Sequence, residues 1–231
     1  MAKTVRPLAS LQGAVTPALW AFTGIAAVLS ASIVGFLVIN PVAFMAFAAD
    51  DASYAATDTE LALSLGLSSL YLVYMGAWLV CGFLVLRWTF RAQRNLRLLD
   101  REEAQMAPGW AVGWYFVPLA NLWKPLEGMQ QIRDGSFLAA NRYPEDGPQL
   151  AGWWAVWLGA LVAGRISTAD EWTASAAAGW WFEAASLALF ALAAFLLIGI
   201  TRRITEAQTT VIQASAFEDT PGPSGAVPAP A

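Results

Sequence analysis

Residues 108–125 read PGWAVGWYFVPLANLWKP, an apolar, tryptophan-rich run with prolines near its start, middle and end. If this run crosses a bilayer, everything after it changes side. If it enters and leaves on one face, the chain is two hairpins joined by an insertion. The residues around it decide between the two.

Of the 231 residues, 58% are hydrophobic and 13% charged, which is far from the mix of a soluble globular domain. Two uncharged runs, 17–39 and 61–86, each exceed the roughly 20 residues a helix needs to cross the hydrocarbon core. Two further spans are expected at about 150–167 and 177–201, the last interrupted only by Glu183. Lys3 and Arg6 precede the first run, as in a signal peptide, but that run is longer than the roughly 7–15 residues of a signal core and is read as an uncleaved anchor.

Lysine and arginine concentrate in cytoplasmic loops, and acids contribute little to that bias. The 40–60 loop holds Asp50, Asp51, Asp58 and Glu60 but no base, so it belongs outside. Arg87, Arg91, Arg94, Arg97 and Arg101 follow the second span, then Lys124, Arg133 and Arg142, and these belong inside. Asp170 and Glu171 mark the short link between the last two spans as external, while Arg202 and Arg203 follow the fourth span. A complete crossing by 108–125 would put all the later bases outside. The expectation is therefore an all-α polytopic membrane protein with four transmembrane helices as two hairpins, a re-entrant or interfacial segment at 108–125, and both termini cytoplasmic. Indole rings favour the membrane–water interface, and Trp20, Trp88, Trp153 and Trp154 fall at predicted inner ends, with Trp172, Trp180 and Trp181 at an outer end.

Residues 1–16 form a short cytoplasmic lead-in, and the Pro/Gly/Ala-rich tail, 214–231, is expected to be disordered. Small residues four apart suggest helix contacts at Ala27, Ala31 and Gly35, at Ser64 and Ser68, and at Ala184 and Ala188. The single cysteine, Cys81, permits no intramolecular disulfide and reads as a small buried hydrophobe. No histidine is present, which removes the commonest metal ligand and general base. No catalytic, cofactor or metal residues are assigned, no cofactor is expected, and nothing points to nucleic acid.

The stretch RAQRNLRLL puts Arg91, Asn95 and Leu99 on one helical face, and with Arg87, Arg94 and Arg101 it makes a basic collar. Such a collar sets topology, and it can also bind anionic headgroups, with Asn95 as a hydrogen-bonding partner. Together with PGW, FVPLANLWKP, WWAVWL and RRITEAQ, this pattern resembles the bacterial membrane proteins of domain-of-unknown-function family 4328, over about residues 60–210. The matching positions are Arg91, Asn95, Pro108, Trp110, Trp114, Pro118, Asn121, Trp123, Pro125, Met129 and Ser136, whereas the family leads one to expect Glu at Gln131 and Trp at Arg133. The resemblance implies a helical inner-membrane protein and lends no activity.

Pro118 lacks a donor and disfavours helix in the residue before it, so an unbroken helix through 110–125 would be costly. After Pro125 a cytoplasmic helix is expected at about 126–140, with Leu126, Met129, Ile132 and Ser136 as its apolar stripe. The insertion can be a plug, a binding site at a broken element, or an aromatic anchor presenting Trp110, Trp114 and Trp123 above Lys124. Arg165 and Glu183 are the ionisable residues placed within spans, and they are expected to pair. The favoured function is a non-catalytic accessory or scaffold that binds anionic lipid headgroups, a membrane-protein partner or a second copy of itself. Its candidate residues are Arg87, Arg91, Arg94, Asn95, Trp110, Trp114, Asn121, Trp123 and Lys124. The alternative is a small transporter or channel whose cytoplasmic vestibule is lined by Asn95, Asn121 and Gln131.

Overall fold

The computed structural model describes residues 5–51, 53–99, 102–143, 147–169 and 176–218. Lys3, Arg101, Asp170, Glu171, Trp172 and the tail beyond 218 lie outside the described residues. The described residues form seven α-helices and no strand: α1 (Ala9–Ile39), α2 (Pro41–Ala48), α3 (Asp58–Leu98), α4 (Pro108–Gly113), α5 (Lys124–Ala139), α6 (Gly147–Ser167) and α7 (Ala176–Glu218). Four of them, α1, α3, α6 and α7, are long and apolar enough to cross a membrane. The protein is an all-α polytopic membrane protein, as its hydropathy predicts.

The helices overrun the expected spans. α1 begins at Ala9, so Pro17 lies inside it instead of opening it. α3 and α7 continue past their last apolar turns, to Leu98 and Glu218, and α7 therefore carries helix past Ala214, where the tail was expected to begin. Hydropathy marks where lipid ends; helix ends are set by local chemistry. At the start of α3, Thr57 and Glu60 form a reciprocal capping box, and Asp58 and Glu60 lie in the positive field of the first turn. At the end of α5, Asn141 takes the left-handed conformation (φ 55°), with Arg142 N–H donating to the Phe137 carbonyl and Asn141 N–H to that of Leu138. This Schellman pairing satisfies carbonyls the helix leaves open.

In space the order is α3, α1, α7, α6: α1 packs on α3 and α7, and α7 on α1 and α6, whereas α3 and α6 share no packed face. α1 buries Phe22, Ala26, Leu29 and Ile33 between its neighbours, Phe22 stacking on Tyr74 of α3, and it meets α7 where the Ser30 hydroxyl donates to the Ala184 carbonyl at 2.8 Å. On the other side of α7, the Ser186 hydroxyl donates to the Ala160 carbonyl at 2.9 Å, and Gly164 lets the two backbones approach. Hydroxyl-to-carbonyl bonds of this kind join membrane helices where apolar contact alone gives little specificity. The four-apart small residues find these seams only at Ala184: Ala27, Ala31, Ser68 and Ala188 are exposed. Trp88, Trp153 and Trp154, expected as interfacial anchors, are instead buried. Of the predicted inner-end tryptophans, only Trp20 is half exposed.

The expected Arg165–Glu183 pair is not formed. The Glu183 carboxylate accepts from the Tyr71 hydroxyl and from the Ser167 hydroxyl, both at 2.9 Å, while Arg165 is exposed. Two neutral donors from α3 and α6 serve the partly buried acid, and the long guanidinium stays outward, where it keeps its hydration.

Candidate functional site: a broken segment between two polar regions

The 108–125 stretch is broken where Pro118 requires it. α4 opens with Pro108 at its first turn, passes into a 3-10 turn over Trp114–Phe116, and stops at Val117, which is extended (φ −97°, ψ 111°). A second 3-10 turn, Ala120–Leu122, leads to α5, where Pro125 sits in the first turn. Two contacts fix the segment: the Trp154 indole N–H donates to the Leu122 carbonyl at 2.8 Å, and Trp110 stacks on Trp114 with ring centres 4.6 Å apart. α5 covers the ends of α3 and α7 with Met129, Ile132 and Ser136 buried, as its predicted stripe requires. It approaches α3 closely at Gly135, where a Cβ would come within 3.0 Å of the Leu96 side chain.

Below the apolar parts of the bundle, polar side chains from four elements form a saturated network. Asn95 pairs with the backbone of Arg6, accepting from its N–H at 3.3 Å and donating to its carbonyl at 2.9 Å, and also donates to Gln208 Oε1 at 3.0 Å. Gln208 in turn donates to the Ala92 carbonyl and to the Ser136 hydroxyl. One turn closer to the membrane, Trp88 N–H donates to Thr205, whose hydroxyl donates to Gln12, which donates to Thr201. Thr201, Thr205 and Gln208 recur at helical spacing on α7, in the TRRITEAQ stretch.

This network reassigns three candidate residues. Asn95 is 1% exposed and fully engaged, so it holds the chain together and is not a surface headgroup ligand. Gln131 Oε1 accepts from Met106 N–H at 2.9 Å and from Gln93, an acceptor's task that a Glu carboxylate would also perform. Asn121 faces a separate cleft. The vestibule that Asn95, Asn121 and Gln131 were expected to line is therefore not assembled.

Arg101 of the expected collar lies outside the described residues, and the collar's other arginines gain a neighbour from the N-terminal stretch. Arg87, Arg94 and Arg97 are exposed, and Arg91 is partly buried. Because Asn95 holds the Arg6 backbone against α3, Arg6 joins Arg87, Arg91 and Arg94. Arg91 is held below the usual guanidinium range, first by partial burial and then by repulsion from Arg87, Arg6 and Arg94. Among the described residues no carboxylate pairs with any of these four. Lys124, by contrast, is paired with Glu127 at 2.6 Å. Trp110 and Trp123 are about half exposed, at 53% and 52%, and free to meet an interface.

The gap between α3 and α6 is a cleft of about 370 Å³, backed by α1 and α7 and closed at one end by the broken segment. Tyr115 and Asn121 line that end, and the Tyr115 hydroxyl and Asn121 Oδ1 are buried without a protein partner. Tyr115 was not singled out from sequence, since nothing in WYF distinguishes it from its neighbours.

The model of the family described as domain of unknown function (DUF4328) matches residues 49–206. This chain belongs to the DUF4328 family. No curated protein and no solved structure matches it. The matched region runs from the loop before α3 to the RRITE turn of α7, and so contains the broken segment, the α3 arginines and Thr201 and Thr205; Arg6 and Gln208 fall outside it.

Proposed function

We propose that the chain is a non-catalytic accessory protein of the bacterial inner membrane that gathers anionic lipid headgroups on its cytoplasmic face, where both termini lie, with the broken segment re-entering the same leaflet. One observation carries this reading: Arg6, Arg87, Arg91 and Arg94, drawn from two elements, stand together at α3, and among the described residues no carboxylate pairs with them. Cations left uncompensated in this way need an anionic partner, and each base near an anionic leaflet contributes about 1 kcal/mol. Trp110 and Trp123 support the placement, because half-exposed indoles suit the interface.

The test adds phosphatidylglycerol or phosphatidylcholine to the protein in neutral detergent and follows its thermal midpoint. Phosphatidylglycerol should raise the midpoint more, and the Arg87→Gln/Arg91→Gln/Arg94→Gln variant should respond alike to both lipids. An unchanged preference in that variant sinks the proposal. Cysteines placed at Gly109 and Lys124 in a Cys81→Ala background should label from the same side of the membrane; labelling from opposite sides removes the re-entrant geometry.

A further inference from the structure

The cleft between α3 and α6 differs from the rest of the bundle in what it leaves undone. Elsewhere in the bundle most buried hydroxyls and amides find partners across helices, Gln93 Oε1 being an exception that lies outside the cleft lining. Here the Tyr115 hydroxyl and Asn121 Oδ1 do not. Leaving a buried polar atom unmatched forfeits its hydration without replacement, so two at one end of one cleft call for an occupant. The segment that carries them is anchored by Trp154 and broken by Pro118, so they are set in place by the fold.

The other walls describe that occupant. From the segment, the lining runs up α6 from Trp153 to Leu161 and along α3 from Leu86 to Trp78, a length of about 12 Å at the helical rise. It is almost wholly apolar, and no charged side chain lines it, which excludes a phosphate or carboxylate as the buried group. One side is open, where Trp78 and Phe116 are 45% and 71% exposed, on the surface that α3 and α6 turn toward lipid. A ligand therefore enters sideways from the bilayer, with its chain along Trp78 and Leu161 and its polar end at the segment. A hydroxyl fits that end: it accepts from the Tyr115 O–H and donates to Asn121 Oδ1.

We infer that the α3–α6 cleft is a binding site for an uncharged, hydroxyl-bearing amphiphile with a single hydrocarbon chain in the cleft, held through Tyr115 and Asn121. The site shares the broken segment with the proposed headgroup reading but uses none of the arginines.

The test uses the full chain in dodecyl maltoside, with oleyl alcohol as the probe and oleyl methyl ether as the matched compound lacking the O–H. Oleyl alcohol should raise the thermal midpoint saturably, and the ether should raise it less. The Tyr115→Phe/Asn121→Leu variant, with no protein hydrogen bond removed, should keep its ligand-free midpoint and respond equally to both compounds. Gly82→Leu places a side chain in the cleft where a Cβ meets nothing within 4 Å, and should abolish both responses. Equal responses of the unsubstituted protein to alcohol and ether, no response to either, or a full response in Gly82→Leu each overturn the inference. Because both probes are uncharged, the outcome is independent of the phosphatidylglycerol experiment.

Discussion

Two sets of buried polar side chains lie against the same broken segment and its following helix, and they are completed differently. Around Asn95, Gln208 and Ser136, the donors and acceptors meet within the protein and join the N-terminal stretch, α3, α5 and α7. At the cleft, the Tyr115 hydroxyl and Asn121 Oδ1 meet none. The difference teaches which polar residues hold the fold and which are left for something outside it. A saturated network resists change in any member, whereas an unsaturated pair can be removed without loss until a ligand is present.

The sharpest way to break the contrast is Asn95→Leu. It leaves the N–H and carbonyl of Arg6 and the Oε1 of Gln208 without the partner Asn95 supplies, and should lower stability by about 2–3 kcal/mol, read as a fall in the thermal midpoint in detergent. Tyr71→Phe with Ser167→Ala strips Glu183 of both donors and should cost about 1–3 kcal/mol by the same measurement. Arg165→Gln should cost almost nothing, since Arg165 does not serve that carboxylate. Trp88→Phe removes one indole donor from Thr205 and should cost about 1 kcal/mol.

A smaller effect is expected at the start of α3. The Thr57 backbone and side-chain bonds, with help from Tyr54 and Asn40, hold Glu60 below the usual carboxylate range. Its contribution is present above the ordinary glutamate pKa and is lost as pH falls through the lowered value. Hydrogen exchange of the amides at 57–61 should therefore show less protection, after correction for intrinsic rates, at about pH 3 than at about pH 6. The smallest change is Tyr115→Phe: without ligand, its midpoint should match that of the unsubstituted protein. A loss as large as that of Asn95→Leu would erase the distinction between the two polar regions.

What could be read from the chain follows from which forces are local. Apolar run length and arginine placement mark four spans, and Pro118 breaks the segment between Trp110 and Pro125 through its own covalent geometry. Partner choice is not local. Asn95 looks like a member of the arginine collar, because its partners Arg6 and Gln208 are 89 and 113 residues away in sequence. Trp88 has the composition of an interfacial anchor, and only the arrival of Thr205 beside it makes burial affordable. Glu183 and Arg165 are plausible partners by hairpin geometry, but Tyr71 from another hairpin reaches the acid. The cleft has no sequence signature, because it exists only where α3 and α6 fail to pack.

The side-by-side packing of α1 with α7 has a consequence for how the protein is made. The Ser30 to Ala184 bond joins residues 154 apart, and the face of α1 that makes it is completed only once α7 has been synthesised. During translation that face must wait in lipid, with the first hairpin inserted but half clothed, until α7 follows. Assembly of the centre must therefore await α7, and a chain halted before it would present that adhesive face to whatever else the membrane holds.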